Sequence, residues 1–210
     1  KLKTAKGWDL EMLQIVTKTF PDMTFHIDCN SGYSLDDLPF FKAIDDMGLA
    51  FIEQPLHFND ILDHAELAKK ISTPICLDET IIDPRTAEQA IRVGACGYIN
   101  IKPGRIGGLS NALAVHDMAK NAGIPVWVGG MLESAVGGSI CVELATLENF
   151  TYPGDLFPSS RFYHRDLSEP KMEFYKGNLF RPFTNQLPTP NNSLLKEQTI
   201  RHKAVTKDPS

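Results

Sequence analysis

The chain has 210 residues, a formal net charge of −5 and 42% hydrophobic residues, which is typical of a soluble globular protein. The acidic balance argues against a nucleic-acid-binding protein, and no apolar run approaches the roughly 18 residues that a membrane span needs. The four cysteines have no CxxC spacing and residues 1–6 lack the apolar core of a secretory signal, so we expect a cytoplasmic protein with free thiols.

Apolar residues at helical spacing predict six helices, and short apolar runs between them predict strands. In chain order, the predicted helices cover residues 8–20, 32–48, about 60–71, 83–94, 110–123 and 134–147. The fourth has the clearest beginning, because Asp83 is a capping carboxylate and Pro84 follows at the first helical position. The predicted strands end at residue 3 or cover 25–28, 50–53, 75–78, 99–102, 125–128 and 150–152.

Charged residues end five of these strands at a nearly constant interval of roughly 25 residues, which is what one strand, one helix and two short loops occupy. They are Lys3, Asp28, Glu53, Asp78 and Lys102. A repeated strand–helix unit predicts an α/β fold with a parallel sheet, closed into a (β/α) barrel. Because the carboxyl ends of barrel strands converge on one mouth, we expect these five side chains to form a site.

The predicted barrel is incomplete at its N-terminal side. We find seven strands where a closed barrel has eight and about 250 residues, so we expect a fragment that begins inside a longer protein. Residues 1–184 would form the partial catalytic barrel. Residues 185–210 are polar and weakly periodic, and we expect an extended tail that packs on the barrel or is frayed.

The three carboxylates Asp28, Glu53 and Asp78 lie on consecutive units and predict a metal site. Hard oxygen ligands that leave room for water and substrate suit magnesium, with manganese as a substitute. The alternative is that each acid caps a helix or pairs with a neighbouring base, which is common for one acid and much less so for three in register.

Lysines flank the carboxylates on both sides in sequence. Lys1 and Lys3 share one strand face, and a neighbouring cation is one of the features that make a lysine a proton acceptor. Lys102 approaches from further round the barrel, so we expect it to face Lys3 across the mouth. Two such groups about a substrate carbon can remove or deliver a proton there, while a metal holds the negative charge that develops. For Lys1 alone, a solvated surface lysine is the alternative.

Four further residues are candidates for substrate binding: Asn30, which shares a face with Asp28, and Gly130, Met131 and Ser134, which follow a strand and form a wall for a substrate. The glycines of 103–108 favour a tight turn over a phosphate loop, because the lysine–hydroxyl pair is absent. Cys29, Cys76 and His26 are interpreted mainly as core residues.

These motifs together resemble the barrel domain of the enolase superfamily. The similarity lies in K-L-K followed by G-W-D, then IDCN, FIEQPL, CLDET and NIKPGRIGG, and the K-x-K signature indicates the muconate-lactonising-enzyme subgroup. The later stretches GGMLES, NFTYPGDLFPSSRFY and EQTIRH are most similar to o-succinylbenzoate synthases related to N-acylamino acid racemases.

The resemblance implies a role for each residue. Lys3 would be the acid or base at the α-carbon, supported by Lys1, and Lys102 would be the opposed lysine. Asp28, Glu53 and Asp78 would bind magnesium. The implied activity is that of a magnesium-dependent carbon–oxygen lyase, which dehydrates 2-succinyl-6-hydroxy-2,4-cyclohexadiene-1-carboxylate to 2-succinylbenzoate in menaquinone synthesis.

Other activities of the family stay open. N-acylamino acid racemases use the same residues, whereas dipeptide epimerases usually carry D-x-D where this chain has Gly154-Asp155. The N-terminal capping domain, which closes over the small carboxylate substrate, would be a partner from the same protein. An inactive, incompletely folded fragment is an alternative of another class. The sequence leaves the oligomeric state open, a homo-oligomer included.

Overall fold

The computed structural model describes residues 1–177, 179–181 and 186–200. The strands are β1 (Leu2–Lys3), β2 (Ile27–Asp28), β3 (Ile52–Glu53), β4 (Ile75–Leu77), β5 (Tyr98–Ile101), β6 (Val126–Val128), β7 (Ser168–Glu169) and β8 (Thr189–Pro190). The helices are α1 (Asp9–Thr19), α2 (Leu38–Ile44), α3 (Ile61–Ala68), α4 (Pro84–Val93), α5 (Pro103–Ile106), α6 (Leu109–Asn121), α7 (Ala135–Leu144) and α8 (Asn192–Gln198), with 3₁₀ turns at Leu35–Asp37 and Ser159–Arg161.

The chain divides into two compact units. The first comprises Lys1–Met131 and Leu144–Asp155, and the second comprises Leu132–Glu143 and Leu156–Ser210. The first unit contains strands β1 to β6, which form a parallel sheet in that order. Strand and helix alternate along this unit, so the predicted α/β fold is confirmed.

The sheet register brings the charged strand ends together. Lys3 lies beside Asp28, and Asp28 lies beside Glu53. Parallel strands present their carboxyl ends at the same edge of a sheet, so one edge collects these side chains. The strand-end carboxylates are therefore neighbours because of backbone pairing.

The segment 150–152, which we expected to be a seventh strand, forms an isolated bridge to β6 between Phe150 and Val126 instead of a regular strand. The N–H of Thr151 reaches the carbonyl of the first residue of β6 at 3.2 Å, and that of Asp155 reaches the last at 2.9 Å. Pro153 lies between them and has no N–H to donate, so the regular ladder is interrupted there.

The predicted helices are present, with different bounds at several ends. Helix α4 begins as expected, because the Asp83 carboxylate accepts a hydrogen bond from the N–H of Thr86 at 2.7 Å and Pro84 follows the cap. It ends at Gly94, whose φ of 71° suits a residue without a Cβ. The short helix α5 was not predicted, since its sequence was interpreted as a turn.

The interior of the first unit is apolar and aromatic. Phe51, Cys76 and Trp127 form a buried cluster, and Tyr98 and Tyr152 pack against it. Ile27, Ile52, Ile75, Ile99 and Val126 are also buried, as expected for strands covered on both faces.

The second unit is built around α7, where Ala135, Val142 and Met172 form a buried cluster. Strands β7 and β8 pair in the antiparallel direction within it. We expected an extended tail over 185–210, but part of that segment is helix α8, which begins where the Asn191 side chain accepts from the N–H of Leu194 at 3.1 Å. Residues 184, 185 and 201–210 lie outside the described residues, so the boundary between 184 and 185 stays a prediction. None of the helices in the described ranges has the length and apolar character for crossing a membrane.

Candidate active site

Three buried carboxylates lie at the carboxyl ends of neighbouring strands in the first unit. Asp28 ends β2, Glu53 ends β3, and Asp78 directly follows β4. Each carboxylate has at least one cationic side chain as a neighbour, as charges buried away from water require. The neighbours differ among the three, and this difference determines the geometry of the site.

Lys1 lies between two of the carboxylates. Its Nζ is 2.9 Å from Asp28 Oδ2 and 2.9 Å from Glu53 Oε2, and 3.9 Å from Asp155 Oδ2. Burial lowers the pKa of Lys1, but the charges of Glu53 and Asp28 outweigh burial and raise this pKa overall. Lys1 is therefore a charged group with 21% of its side chain accessible, and it is paired with two buried carboxylates.

The pKa values of the two carboxylates next to Lys1 shift in opposite directions. Burial raises the pKa of Asp28, yet the charges and hydrogen bonds of Lys1 and Lys3 outweigh burial and lower it. Glu53 is fully buried, and burial together with the Asp28 charge raises its pKa in spite of Lys1.

Lys3 is the most exposed of the three site lysines, with 62% of its side chain accessible. Its Nζ donates to Asp28 Oδ2 at 2.6 Å and to the side-chain oxygen of Asn30 at 2.5 Å. Asn30 in turn donates to Glu79 at 3.0 Å, and its backbone N–H donates to Asp28 at 3.1 Å. Asn30, which we predicted to bind substrate, thus contacts the predicted base directly.

Lys102 and Arg105 both neutralise Asp78. The ammonium of Lys102 donates to Asp78 Oδ2 at 2.6 Å, and the Arg105 guanidinium contacts Asp78 Oδ1. Arg105 also donates to the carbonyls of Ile81 at 2.8 Å and Asn100 at 2.6 Å, and burial lowers its pKa to about 10. Only 15% of the Lys102 side chain is accessible.

Sequence reasoning missed three contributors to the site. Arg105 was treated as part of a glycine-rich turn, although its position three residues after Lys102 places both on one helical turn. Asn100 donates to Glu53 Oε1 at 2.7 Å, and its shared strand face with Lys102 was a usable signal. Gly129 lies so close that a Cβ would overlap the Asn100 amide and Lys102 Cε.

The other residues predicted to bind substrate belong to different units of the chain. Gly130 and Met131 follow β6 in the first unit, and Met131 is exposed. Ser134 belongs to the second unit, where its carbonyl accepts from Gly138 at the beginning of α7. Cys29 is buried and burial raises its thiol pKa to about 12, which agrees with a core residue.

The carboxylates do not converge on a single point. Among residues 1–177, 179–181 and 186–200, no three His, Cys, Asp or Glu side chains are grouped as a metal centre. Asp28 and Glu53 face Lys1, whereas Asp78 turns toward Lys102 and Arg105. The donor set nevertheless fits a divalent cation, because three acidic residues lie at the ends of neighbouring strands. The positively charged Lys1 ammonium already lies between two of them, Asp28 and Glu53. Glu53 Oε2 is also buried, and it is paired with the Lys1 ammonium at 2.9 Å.

The chain matches a known protein family over most of its length. Residues 1–183 match the family described as Enolase C-terminal domain-like. An N-succinylamino acid racemase from Amycolatopsis sp is 50% identical over 81% of this chain and 46% of its own length. An o-succinylbenzoate synthase from Geobacillus kaustophilus is 45% identical over 84% of this chain and 47% of its own.

A solved structure has the same fold. The enolase-superfamily protein from Listeria innocua Clip11262 is 37% identical, has a TM-score of 0.86, and is matched over 93% of this chain and 53% of its own. The chain thus spans about half the length of the curated relatives it matches. The chain belongs to the enolase superfamily, in its muconate-lactonising-enzyme subgroup, and corresponds to the C-terminal domain.

Proposed function

We propose that the protein to which this chain belongs is an o-succinylbenzoate synthase, which dehydrates 2-succinyl-6-hydroxy-2,4-cyclohexadiene-1-carboxylate to 2-succinylbenzoate. The observation that carries this proposal is the unequal setting of two lysines. Lys3 is largely exposed, whereas only 15% of the Lys102 side chain is accessible and its ammonium contacts the buried Asp78. One accessible base and one fixed positive charge suit a reaction that removes a single proton. The similarity to synthases supports the same conclusion.

In this proposal Lys3 removes the proton next to the substrate carboxylate and assists the departure of the hydroxyl on the same face. Asp28 and Asn30 hold its amino nitrogen in place. Lys102 contributes its charge to the side of the developing anion, and Lys1 keeps the Asp28 and Glu53 charges neutralised between turnovers.

We propose that Asp28, Glu53 and Asp78 would hold magnesium, or manganese in its place. Enolase-superfamily sites combine a lysine or histidine base with magnesium, which stabilises the negative charge that develops on a substrate carboxylate. The substrate would then be a small carboxylate, and a capping part outside this chain would close over it.

N-succinylamino acid racemase is a second candidate, because the racemase from Amycolatopsis sp is the relative with 50% identity. Racemisation takes a proton from one face of the α-carbon and returns one to the other face. Both Lys3 and Lys102 would then have to exchange protons, so Lys102 would leave Asp78 during turnover.

The two activities are distinguished by lysine variants of the intact protein. For a synthase, Lys3→Ala should abolish dehydration of the cyclohexadiene acid, and the unmodified protein should not exchange the α-proton of either enantiomer of an N-succinylamino acid in deuterated water. For a racemase, Lys3→Ala and Lys102→Ala should each fail on one enantiomer. Lys69→Ala, at an exposed lysine paired with Glu66, is the matched control. Dehydration that survives Lys3→Ala would contradict both assignments.

A further inference from the structure

Two buried polar atoms face each other beside the proposed site. They are His26 Nε2 and Glu53 Oε2, which lie 3.6 Å apart. This distance is too long for a hydrogen bond. Lys1 Nζ forms an ion pair with the same Glu53 oxygen at 2.9 Å, whereas His26 Nε2 has no hydrogen-bond partner among the described residues. A buried polar atom without a partner is uncommon and costly, so His26 Nε2 needs an explanation.

The imidazole ring of His26 is held in place by aromatic side chains. Its centroid is 4.5 Å from that of Phe51, 5.3 Å from that of Trp127 and 5.3 Å from that of Tyr152. These rings come from the residue before β3, from β6 and from the segment after β6, so they confine the imidazole from several directions. The ring cannot turn freely, whereas the Glu53 carboxylate can rotate about its terminal bond.

The other ring nitrogen has a partner that selects the tautomer. His26 Nδ1 is 2.9 Å from the Tyr152 hydroxyl oxygen. If the hydroxyl donates to Nδ1, the proton of the neutral ring lies on Nε2 and faces Glu53. The opposite tautomer would direct a nitrogen lone pair at a carboxylate oxygen, which is repulsive. The geometry therefore favours the tautomer with hydrogen on Nε2.

We propose that Tyr152 and His26 act in series as positioning residues for Glu53. Tyr152 donates to His26 Nδ1, and a small rotation of the carboxylate brings Glu53 Oε2 into hydrogen-bond range of the Nε2–H. A neutral donor fixes the direction of the carboxylate without cancelling its charge, whereas Lys1 neutralises it. The benefit to cation binding rests on the proposed function, but the contact itself can be tested without a metal.

The first test is the tautomeric state of His26, measured by ¹⁵N NMR on the intact protein labelled at histidine. We expect His26 to carry its proton on Nε2, and Glu53→Gln to move the Nε2 resonance. Tyr152→Phe should move the Nδ1 resonance because the donor to Nδ1 is lost. A proton on Nδ1, or an Nε2 resonance that Glu53→Gln leaves unchanged, would overturn the proposal.

The second test compares two variants whose side-chain amide can replace one of the two ring nitrogens of the imidazole. The Gln side chain of His26→Gln can place a donor near the Nε2 position, whereas His26→Asn can retain only the contact near Nδ1. We expect magnesium affinity to fall about tenfold or more in His26→Asn and in Tyr152→Phe, and to be largely retained in His26→Gln. Equal losses in His26→Asn and His26→Gln would show that no donor from residue 26 reaches Glu53.

His116 is a matched control, because it is a buried histidine on α6 that stacks on Phe150, and its Nδ1 lies 2.8 Å from Asp117. His116→Asn and His116→Gln should leave magnesium affinity unchanged. If Glu53→Gln binds magnesium as the unmodified protein does, Glu53 is not a metal ligand. In that case the NMR result by itself decides whether His26 donates to Glu53.

Discussion

The side-chain oxygen of Gln54 accepts a hydrogen bond from the backbone N–H of Asp78 at 3.0 Å. The same oxygen accepts from the N–H of Thr80 at 3.1 Å, and the Gln54 amide nitrogen donates to Thr80 Oγ1 at 2.8 Å and to the Leu56 carbonyl at 3.1 Å. Gln54 is fully buried and adopts a φ of 40°, which is uncommon for a residue with a side chain. One residue therefore connects the ends of β3 and β4, next to two of the predicted metal ligands.

Replacing Gln54 with Leu should destabilise the protein strongly. The change leaves two buried backbone N–H groups without an acceptor and removes the donor to Leu56, so we expect a loss of about 3 kcal/mol in the free energy of unfolding. Urea denaturation measures this loss. Gln14→Leu, at an exposed position of α1, should change the free energy by no more than about 0.5 kcal/mol. Similar values for the two variants would mean that the Gln54 hydrogen bonds do not stabilise the fold.

Glu53→Gln should greatly weaken magnesium binding by the intact protein. The substitution keeps the shape of the side chain and its neighbour Asn100, but it removes one of three negative charges. Isothermal titration calorimetry should show a loss of affinity of at least about tenfold. Glu66→Gln, at a partly exposed residue paired with Lys69, should bind magnesium normally. Unchanged affinity in Glu53→Gln would remove this residue from the metal site.

Arg105→Met should destabilise the fold because it removes a partly buried cationic partner of the buried Asp78. Lys102 still contacts that carboxylate, but the carbonyls of Ile81 and Asn100 lose their donor. Breaking a buried pair from one side costs several kcal/mol, and we expect about 3 kcal/mol here. Thermal and urea denaturation would measure it, with the exposed Arg92→Met on α4 as the control. A loss below about 1 kcal/mol would contradict the view that Arg105 supports Asp78.

The stability that Asp45 contributes should depend on pH. Burial raises the pKa of Asp45, but hydrogen bonds from the backbone of Ser72 and Thr73 outweigh burial and lower it. A carboxyl group whose pKa is lower in the folded protein stabilises the fold above its unfolded pKa of about 3.9, and this stabilisation is lost as the pH falls through the folded value. Asp45→Asn should therefore cost about 1 kcal/mol near pH 7, a modest figure because solvent screens this partly exposed group.

The difference between the unmodified protein and Asp45→Asn should shrink as the pH is lowered below about 4. Free energies of unfolding measured at several pH values test the sign. Asp46→Asn is the control, because Asp46 is the adjacent and exposed carboxylate. A difference that grows toward low pH would show that the pKa of Asp45 is raised in the folded protein.

The arrangement of strand-end charges could be predicted because it depends on chain period and backbone pairing. Each unit is about one strand and one helix long, and parallel pairing places Lys3 beside Asp28 and Asp28 beside Glu53 whatever their rotamers are. The start of α4 was predictable for a similar reason, since its cap is local in sequence. The seventh strand was predicted from apolar content alone, and the missing N–H of Pro153 interrupted it.

Only the tertiary structure decided which cation each carboxylate faces. Asp78 contacts Arg105 and not Lys1. His26 Nδ1 contacts the hydroxyl of Tyr152, which lies far from it in sequence. Such contacts depend on side-chain directions and on the space left by neighbours such as Gly129, which no local pattern encodes. The sequence by itself determined that the charges would gather at one edge of a parallel sheet, because period and pairing are properties of the backbone. Their pairing within that edge was decided by side-chain packing between distant segments.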